Sequence, residues 1–261
     1  MQNTLQFKNT NISFSVAGKG TAIVLLHGFL ENSSMWNSVK STLEKRNKVI
    51  CIDLLGHGKS DCIGYVHSTE LMAEAVEVVL KHLRIRKSIV VGHSMGGYVA
   101  LAFAEKNPTK IKGLCLMNST SLADDNELKI RRERANKMVQ NNFNNMVSMS
   151  FANLFSEKSR DSFKNEMQAA LQEAMQTPIQ GYIACQEGMK IRTNRSAVLK
   201  NNNFKKLFII GKKDPVLNYQ KLIEEAKETN SEAVVFDEGH MSHIENKTEL
   251  IIALQKFVNA R

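Results

Sequence analysis

A serine framed by glycines, directly after a short apolar run, restricts the local fold more strongly than any other pattern in the chain. The apolar run at 88–91 predicts a short buried strand, and residues 97–105 predict a helix. The segment Gly92-His93-Ser94-Met95-Gly96 leaves only a tight turn between these two elements. Side chains at positions 92 and 96 would strike the neighbouring strand or helix, which explains the glycines. The pattern therefore predicts that Ser94 projects from a strand end at a helix N-terminus.

Gly-x-Ser-x-Gly between a strand and a helix is typical of a nucleophile elbow, so Ser94 is the candidate nucleophile. A serine hydroxyl attacks poorly until a base accepts its proton, and a carboxylate commonly orients that base. Among the seven histidines, His240 is the candidate base because it lies in a polar loop after an apolar strand at 233–236. Asp214 is the candidate acid because it follows the predicted strand at 207–211. An ordinary turn serine is the alternative interpretation of Ser94.

A further strand end carries the segment His27-Gly28-Phe29-Leu30, after the buried strand predicted at 22–26. The chain resembles the α/β-hydrolase fold family over most of its length, through motifs that stand in the family's order: His27-Gly28, 53–60, the elbow, 211–215 and Gly239-His240. The order Ser94, Asp214, His240 is also the family's order of nucleophile, acid and base.

This resemblance implies an α/β fold with a mostly parallel central sheet, flanked by helices and carrying an inserted helical cap. It also implies that the backbone N–H groups of Phe29 and Met95 bind the oxyanion of a reaction intermediate. A serine at the elbow places the chain in the serine-nucleophile branch and excludes the dehalogenase and epoxide-hydrolase branches, which have aspartate there.

Two of the candidate residues have rivals in the sequence. The alternative for Asp214 is to cap the helix that begins after Pro215. Some relatives place the acid after the sixth strand, but this chain has Asn118 there, which cannot carry the charge. His243 competes with His240, and we predict that it begins or caps the final helix.

The other polar residues of these motifs have predicted structural roles. We expect His27 to shape the oxyanion loop, and His57 and His93 to support packing or loop hydrogen bonds. We expect Asp53 to hold the turn at 56–60. The residues predicted to contact substrate are Phe29, Trp36, His93 and Met241, although a helix-packing role for Trp36 is equally compatible with the sequence.

Strands and helices alternate through 1–118 and again through 197–261, which predicts a parallel sheet covered on both faces. Residues 119–196 show helical patterns without a convincing strand, so we predict a helical cap over the carboxyl edge of the sheet, where ligands bind in such folds. An apolar stripe is predicted on the helix at 69–82, and a loop between cap helices is predicted at 141–145. The stripe comprises Leu71, Ala75, Val78, Val79 and Leu83.

Length and composition are those of an ordinary single-domain globular protein. The chain has 261 residues, of which 43% are hydrophobic and 23% charged. No apolar run approaches the roughly 20 residues that span a bilayer, and residues 1–8 lack a secretory h-region, so we expect a cytoplasmic protein without membrane contact. The four cysteines show no close pair and are predicted to be free thiols. We expect a monomer or a homodimer.

The formal net charge of +9 raises the question of an anionic partner. Basic residues are scattered, mixed with acids and not interleaved with aromatics, which argues against nucleic-acid binding. The basic cluster at 129–134 is predicted to be a solvated helix face, with attraction for an anionic substrate as the alternative.

These observations predict hydrolysis of a small carboxylic ester through an acyl-enzyme, with neither a metal nor an organic cofactor. The same residues also serve C–C bond hydrolases, perhydrolases and lyases, and fold alone does not choose among them. The segment 27–30 resembles that of the pyruvate-eliminating lyases of menaquinone synthesis, but Tyr98 lies where those enzymes have an arginine. A ligand receptor that has lost turnover is a less favoured alternative.

Overall fold

A computed structural model describes residues 2–260, so of the predicted core segments 1–118 and 197–261 only Met1 and Arg261 lie outside the described residues. Eight strands form one sheet: β1 (Gln2–Phe7), β2 (Thr10–Ala17), β3 (Thr21–Leu26), β4 (Asn47–Ile52), β5 (Ser88–His93), β6 (Ile111–Met117), β7 (Lys205–Gly211) and β8 (Glu232–Phe236). Their order is β1-β2-β4-β3-β5-β6-β7-β8. The pairs that involve β2 are antiparallel, and all others are parallel. The mostly parallel sheet predicted from the sequence is confirmed.

Six helices belong to the strand–helix alternation: α1 (Asn37–Leu43), α2 (Thr69–His82), α3 (Met95–Lys106), α9 (Tyr219–Glu228), α10 (Ser242–Glu245) and α11 (Lys247–Asn259). The others lie between β6 and β7: α4 (Asn126–Ala152), α5 (Glu157–Ser162), α6 (Lys164–Ala174), α7 (Ile179–Lys190) and α8 (Ser196–Lys200). We call the stretch from α4 to α8 the helical insertion.

Each strand of the sheet sends alternate side chains to opposite faces, and this alternation builds two separate cores. On β3, Val24 packs with α2 and α3 in one cluster, whereas Ile23 and Leu25 pack against α1 and α11 in the other. Cys51 and Cys115 fill the second cluster as buried free thiols, as predicted, and the cysteines at 62 and 185 are free as well.

The helical insertion has a small core of its own. Phe151, Phe155 and Tyr182 pack there against Leu30 and Met241, which come from loops at the carboxyl edge of the sheet. The insertion therefore lies over the loops that carry the candidate site. No helix among residues 2–260 combines the length and apolar character that a membrane span requires.

One local prediction was incomplete and another was wrong. In the stripe predicted on α2, Ala75 and Val79 are buried, and Leu71, Val78 and Leu83 pack partly buried against the same core. The buried face also includes Met72, Val76 and Leu80, which the prediction omitted. The asparagine-rich stretch 141–145 is not a separate loop. It lies within α4, which continues past a kink where Asn142 leaves helical geometry.

Candidate active site

The turn between β5 and α3 holds Ser94 in a left-handed backbone conformation, with φ +48° and ψ −114°. Such a conformation is strained for a residue with a side chain and persists only where the surroundings fix it. The Ser94 N–H donates to the carbonyl of Met117 (2.9 Å), and the Ser94 carbonyl accepts from Ser119 Oγ (2.8 Å). A Cβ at Gly92 would collide with the carbonyl oxygen of Gly96, so the predicted need for glycine is confirmed.

His240 and Asp214 meet at the ends of two neighbouring strands. His240 Nδ1 lies 2.7 Å from Asp214 Oδ2, and both side chains are almost completely buried. Because a carboxylate only accepts hydrogen bonds, Nδ1 must carry the proton, which leaves Nε2 of a neutral ring free to accept one. Burial alone would raise the pKa of Asp214, but the His240 contact and hydrogen bonds from Val216 N–H and Asn118 outweigh it and lower that pKa.

Asn118 connects the loops around this pair. Its Nδ2 donates to Asp214 Oδ2 (3.1 Å) and to the Gly239 carbonyl (3.2 Å), and its Oδ1 accepts from Ser242 Oγ (2.7 Å). Asn118, the residue after the sixth strand, therefore donates a hydrogen bond to Asp214 and does not take the place of that carboxylate.

Ser94 and His240 line the same cavity, with a volume of about 130 Å³, together with Phe29 and Met241. Within residues 2–260, no hydrogen bond joins Ser94 Oγ to the His240 ring. Hydrogen bonds between nucleophile and base are often long before substrate binds and shorten in the reactive complex. The two side chains therefore share one cavity, and a hydrogen bond between them stays a prediction.

Two histidines fix the backbone of the segment predicted to form the oxyanion loop. His57 Nε2 accepts from Leu30 N–H (3.1 Å), and His27 Nδ1 donates to the Gly28 carbonyl (2.7 Å). Phe29, which lies between Gly28 and Leu30 in the chain, lines the cavity, and Met95 directly follows Ser94. The binding of an oxyanion by the N–H groups of Phe29 and Met95 stays a prediction.

Asp53 holds the turn that was predicted for it. Its Oδ2 accepts from Lys59 N–H (3.0 Å), and its carbonyl accepts from Ser60 Oγ (2.5 Å). The other carboxylate oxygen accepts from Ser33 N–H (2.8 Å), so the side chain also ties this turn to the segment after the oxyanion loop.

Glu31 is a residue of the site that the sequence analysis missed. Its Oε2 accepts from Gly28 N–H (2.7 Å) and from His93 Nδ1 (2.6 Å). His93 Nε2 lies 3.0 Å from the His240 carbonyl oxygen. Since both ring nitrogens of His93 face acceptors, both must donate, and the ring is an imidazolium. Glu31 and His93 thus form a buried ion pair that connects the segment predicted to form the oxyanion loop to the His240 loop.

The pKa values of this pair agree with its geometry. Burial alone would raise the pKa of Glu31, but the charge and hydrogen bond of His93 outweigh it and hold that pKa at about 2. Burial alone would lower the pKa of His93, but the Glu31 carboxylate outweighs it and raises that pKa. His243 lies in α10 with its Nε2 3.6 Å from Glu31 Oε1, and burial lowers its pKa to about 4. It is therefore within α10 and not at the start of the final helix.

Glu31→Gln is expected to destabilise the fold by about 3 kcal/mol at neutral pH, because it leaves the buried charge of His93 without a counter-ion. The contribution of Glu31 is complete above its ordinary pKa of 4.5 and is lost as the pH falls towards about 2. The contribution of His93 is complete below its ordinary pKa of 6.5 and is lost as the pH rises through its raised value. Urea unfolding should therefore show the largest difference from wild type near neutral pH.

Glu127→Gln is the matched control, since that carboxylate is 84% exposed. If the free energy of unfolding of Glu31→Gln were lower than that of wild type by the same amount from acid to alkaline pH, the ion pair would be contradicted.

Trp36 is not where the prediction of a substrate contact requires it. Its side chain is fully buried in the core cluster formed with α1 and α11 and does not line the cavity around Ser94. The helix-packing alternative therefore applies. Phe29, His93 and Met241 do line the cavity, although both ring nitrogens of His93 are used within the protein.

Comparisons with known proteins agree with the fold. A family model of the alpha/beta hydrolase fold matches residues 21–247. The chain superposes on a thermophilic esterase from Thermogutta terrifontis with a TM-score of 0.93 and 26% sequence identity, covering 99% of this chain and 98% of that one.

Curated relatives match a shorter stretch. A pimeloyl-[acyl-carrier protein] methyl ester esterase from Nitrosomonas europaea is 34% identical over 111 residues, 42% of each chain. A putative 2-succinyl-6-hydroxy-2,4-cyclohexadiene-1-carboxylate synthase from Bacillus subtilis is 31% identical over 115 residues, again 42% of each chain. The matches cover 38% to 42% of the length of these relatives and of an uncharacterized Mycobacterium bovis protein.

Proposed function

The chain belongs to the α/β hydrolase family, and from this membership we propose that it cleaves a small carboxylic ester through Ser94, His240 and Asp214. One observation carries the proposal: an Asp214-bound imidazole and a serine on a strained turn line one cavity. The similarity to a Thermogutta terrifontis esterase and to a Nitrosomonas europaea methyl ester esterase supports ester chemistry.

The proposed reaction is acyl transfer to water. His240 Nε2 accepts the Ser94 proton as the hydroxyl oxygen attacks the ester carbonyl, and Asp214 stabilises the resulting imidazolium. The backbone N–H groups of Phe29 and Met95 bind the developing oxyanion. His240 then donates its proton to the leaving alcohol. In the second half of the reaction, a water molecule attacks the acyl-enzyme carbonyl, His240 accepts the proton of this water, and the same proton passes to the Ser94 oxygen as the carboxylic acid leaves.

The size of the cavity favours a short substrate. Its volume of about 130 Å³ lies well below the roughly 300–1,000 Å³ of sites for drug-sized ligands. Half-buried Phe29 and fully buried Met241 supply apolar walls. We therefore propose short acyl and alcohol groups.

A triad-based lyase of the menaquinone-synthesis type is the second candidate, favoured by the similarity to the Bacillus subtilis protein. The position that an arginine occupies in those enzymes is Tyr98, whose ring packs against the Arg192 guanidinium at 4.0 Å. Hydrolysis of short esters, without elimination that begins by abstraction of a proton from the substrate, would favour the hydrolase over this lyase.

Labelling by a fluorophosphonate tests the activated serine directly. The probe reacts with a serine whose proton a neighbouring base accepts, so the Ser94 peptide is expected to gain the mass of the phosphonyl group. Ser94→Ala protein should remain unlabelled at that peptide. Folded wild-type protein that left Ser94 unmodified would contradict the proposed function and favour a non-catalytic binder.

A further inference from the structure

One arginine of the basic cluster at 129–134 reaches the cavity that contains Ser94. Arg131 and Arg134 of α4 are exposed, as a solvated helix face requires. Arg132 is different, because its side chain is only 17% exposed and lines the cavity together with Ser94 and His240. The sequence left open whether this cluster attracts an anionic substrate, and the position of Arg132 favours that alternative.

Arg132 is incompletely neutralised by its partners. Its Nε and Nη2 donate to Asp124 (2.5 and 3.4 Å), and its Nη1 donates to the neutral Gln186 Oε1 (2.7 Å). Asp124 Oδ1 also accepts from Arg192 Nη1 at 2.5 Å. Within residues 2–260, Asp124 is the carboxylate that both guanidinium groups share, and its side chain is fully buried. Two cations and one anion leave a net positive charge beside the cavity.

Among the described residues, no carboxylate of the cavity wall contacts Arg132. Glu31 is paired with His93, and Asp214, which does not line the cavity, is bound to the His240 ring. Arg132 has five guanidinium N–H groups, of which three are used in these contacts, so two are not used by these partners. A cation in such a site is stabilised when an anion with hydrogen-bond acceptors pairs with it.

We propose that Arg132 binds a carboxylate of the substrate, so that the preferred substrates are short esters that carry a carboxylate remote from the ester bond. This inference rests on the proposed function, because it names the class of ester hydrolysed at Ser94. Arg132 determines specificity by pairing with the charge, while the reacting groups remain those of the elbow and the His240 loop.

The test compares monomethyl esters of succinic, glutaric and adipic acid with the corresponding ω-amides, which have the same shape without the charge. A second series of acetate esters of short ω-hydroxy acids and their amides places the charge on the alcohol side. In at least one series, kcat/KM for the carboxylate should exceed that for the amide by about 10- to 100-fold, the range of a hydrogen bond to a charged group. In Arg132→Gln this ratio should fall to near one.

Arg131→Gln is the matched control, since Arg131 lies on the same helix and is 72% exposed; it should keep the wild-type ratio. Asp124 keeps Arg192 as a partner in Arg132→Gln, and labelling of Ser94 by the fluorophosphonate reports whether that variant retains its site. Protection of wild-type Ser94 from the probe by glutarate, but less by its monoamide, provides a readout that is independent of turnover.

Each outcome decides between the two proposals. Equal hydrolysis of carboxylates and amides by wild type would overturn the inference about Arg132 and leave the proposed function intact. A preference that persisted in labelled Arg132→Gln would overturn it as well. If folded wild-type protein showed neither labelling of Ser94 nor hydrolysis of any ester, both proposals would be overturned.

Discussion

Ser94→Ala is expected to lower kcat for a short ester by roughly 10⁶-fold, the loss seen when a serine nucleophile is removed from a coupled triad. The reason is local: the strained turn after β5 presents one hydroxyl to the cavity that contains His240. Without that oxygen the proposed acyl-enzyme cannot form, and the N–H groups predicted to bind the oxyanion would stabilise only direct attack by water. Hydrolysis of a methyl or p-nitrophenyl ester by purified protein measures the effect.

Ser88→Ala provides the matched control. Ser88 is a buried serine at the start of β5, and its hydroxyl has no hydrogen-bond partner within the described part of the chain. Its removal should leave kcat and the melting temperature close to wild type. If Ser94→Ala retained near-wild-type turnover, Ser94 would be excluded from the reaction.

Asp214→Ala is expected to lower kcat by about 10⁴-fold, because the His240 imidazole would lose the partner that fixes its tautomer and stabilises its charge. Adding Asn118→Asp to that variant should restore at least about tenfold in kcat, equivalent to about 1.4 kcal/mol. Recovery is expected because Asn118 Nδ2 and His240 Nδ1 contact the same Asp214 oxygen, at 3.1 and 2.7 Å. A carboxylate at 118 would therefore lie near the ring.

Recovery should be partial for a specific reason. Asn118 Nδ2 also donates to the Gly239 carbonyl, and a carboxylate oxygen would instead repel it. Asn118→Asp alone should lower activity, since it places a second negative charge against Asp214. Equal activities of Asp214→Ala with and without the second substitution would show that position 118 cannot orient the base.

The elements that carry Ser94, Asp214 and His240 could be predicted because each is a local pattern of an apolar strand followed by a polar turn. Parallel strands then bring their carboxyl ends to one edge of the sheet. The glycines at 92 and 96 added a steric requirement that the structure confirms. For these residues, local sequence was sufficient to predict their positions at strand ends, and the family resemblance indicated that the three would act together.

Other features depend on tertiary contacts that no local pattern encodes. Glu31 meets His93 across 62 residues of sequence, and only its position after the oxyanion segment hinted at a role. Arg131 and Arg132 are chemically alike, and the rotation of α4 decides which one reaches the cavity. Trp36 was predicted to contact substrate, with helix packing as an equal alternative, and the short 3₁₀ turn at Ser33–Trp36 directs it to the core cluster under α1.

The position of β8 makes one part of the site more vulnerable than the rest. β8 is the last strand in the sheet order and is held through its pairing with β7, whereas β5 has a paired strand on each side. Local opening at a sheet edge requires less free energy than disruption of its centre. The proposed general base is thus attached to the margin of the sheet and the proposed nucleophile to its middle, so loss of turnover on heating would report fraying of that margin before the protein melts.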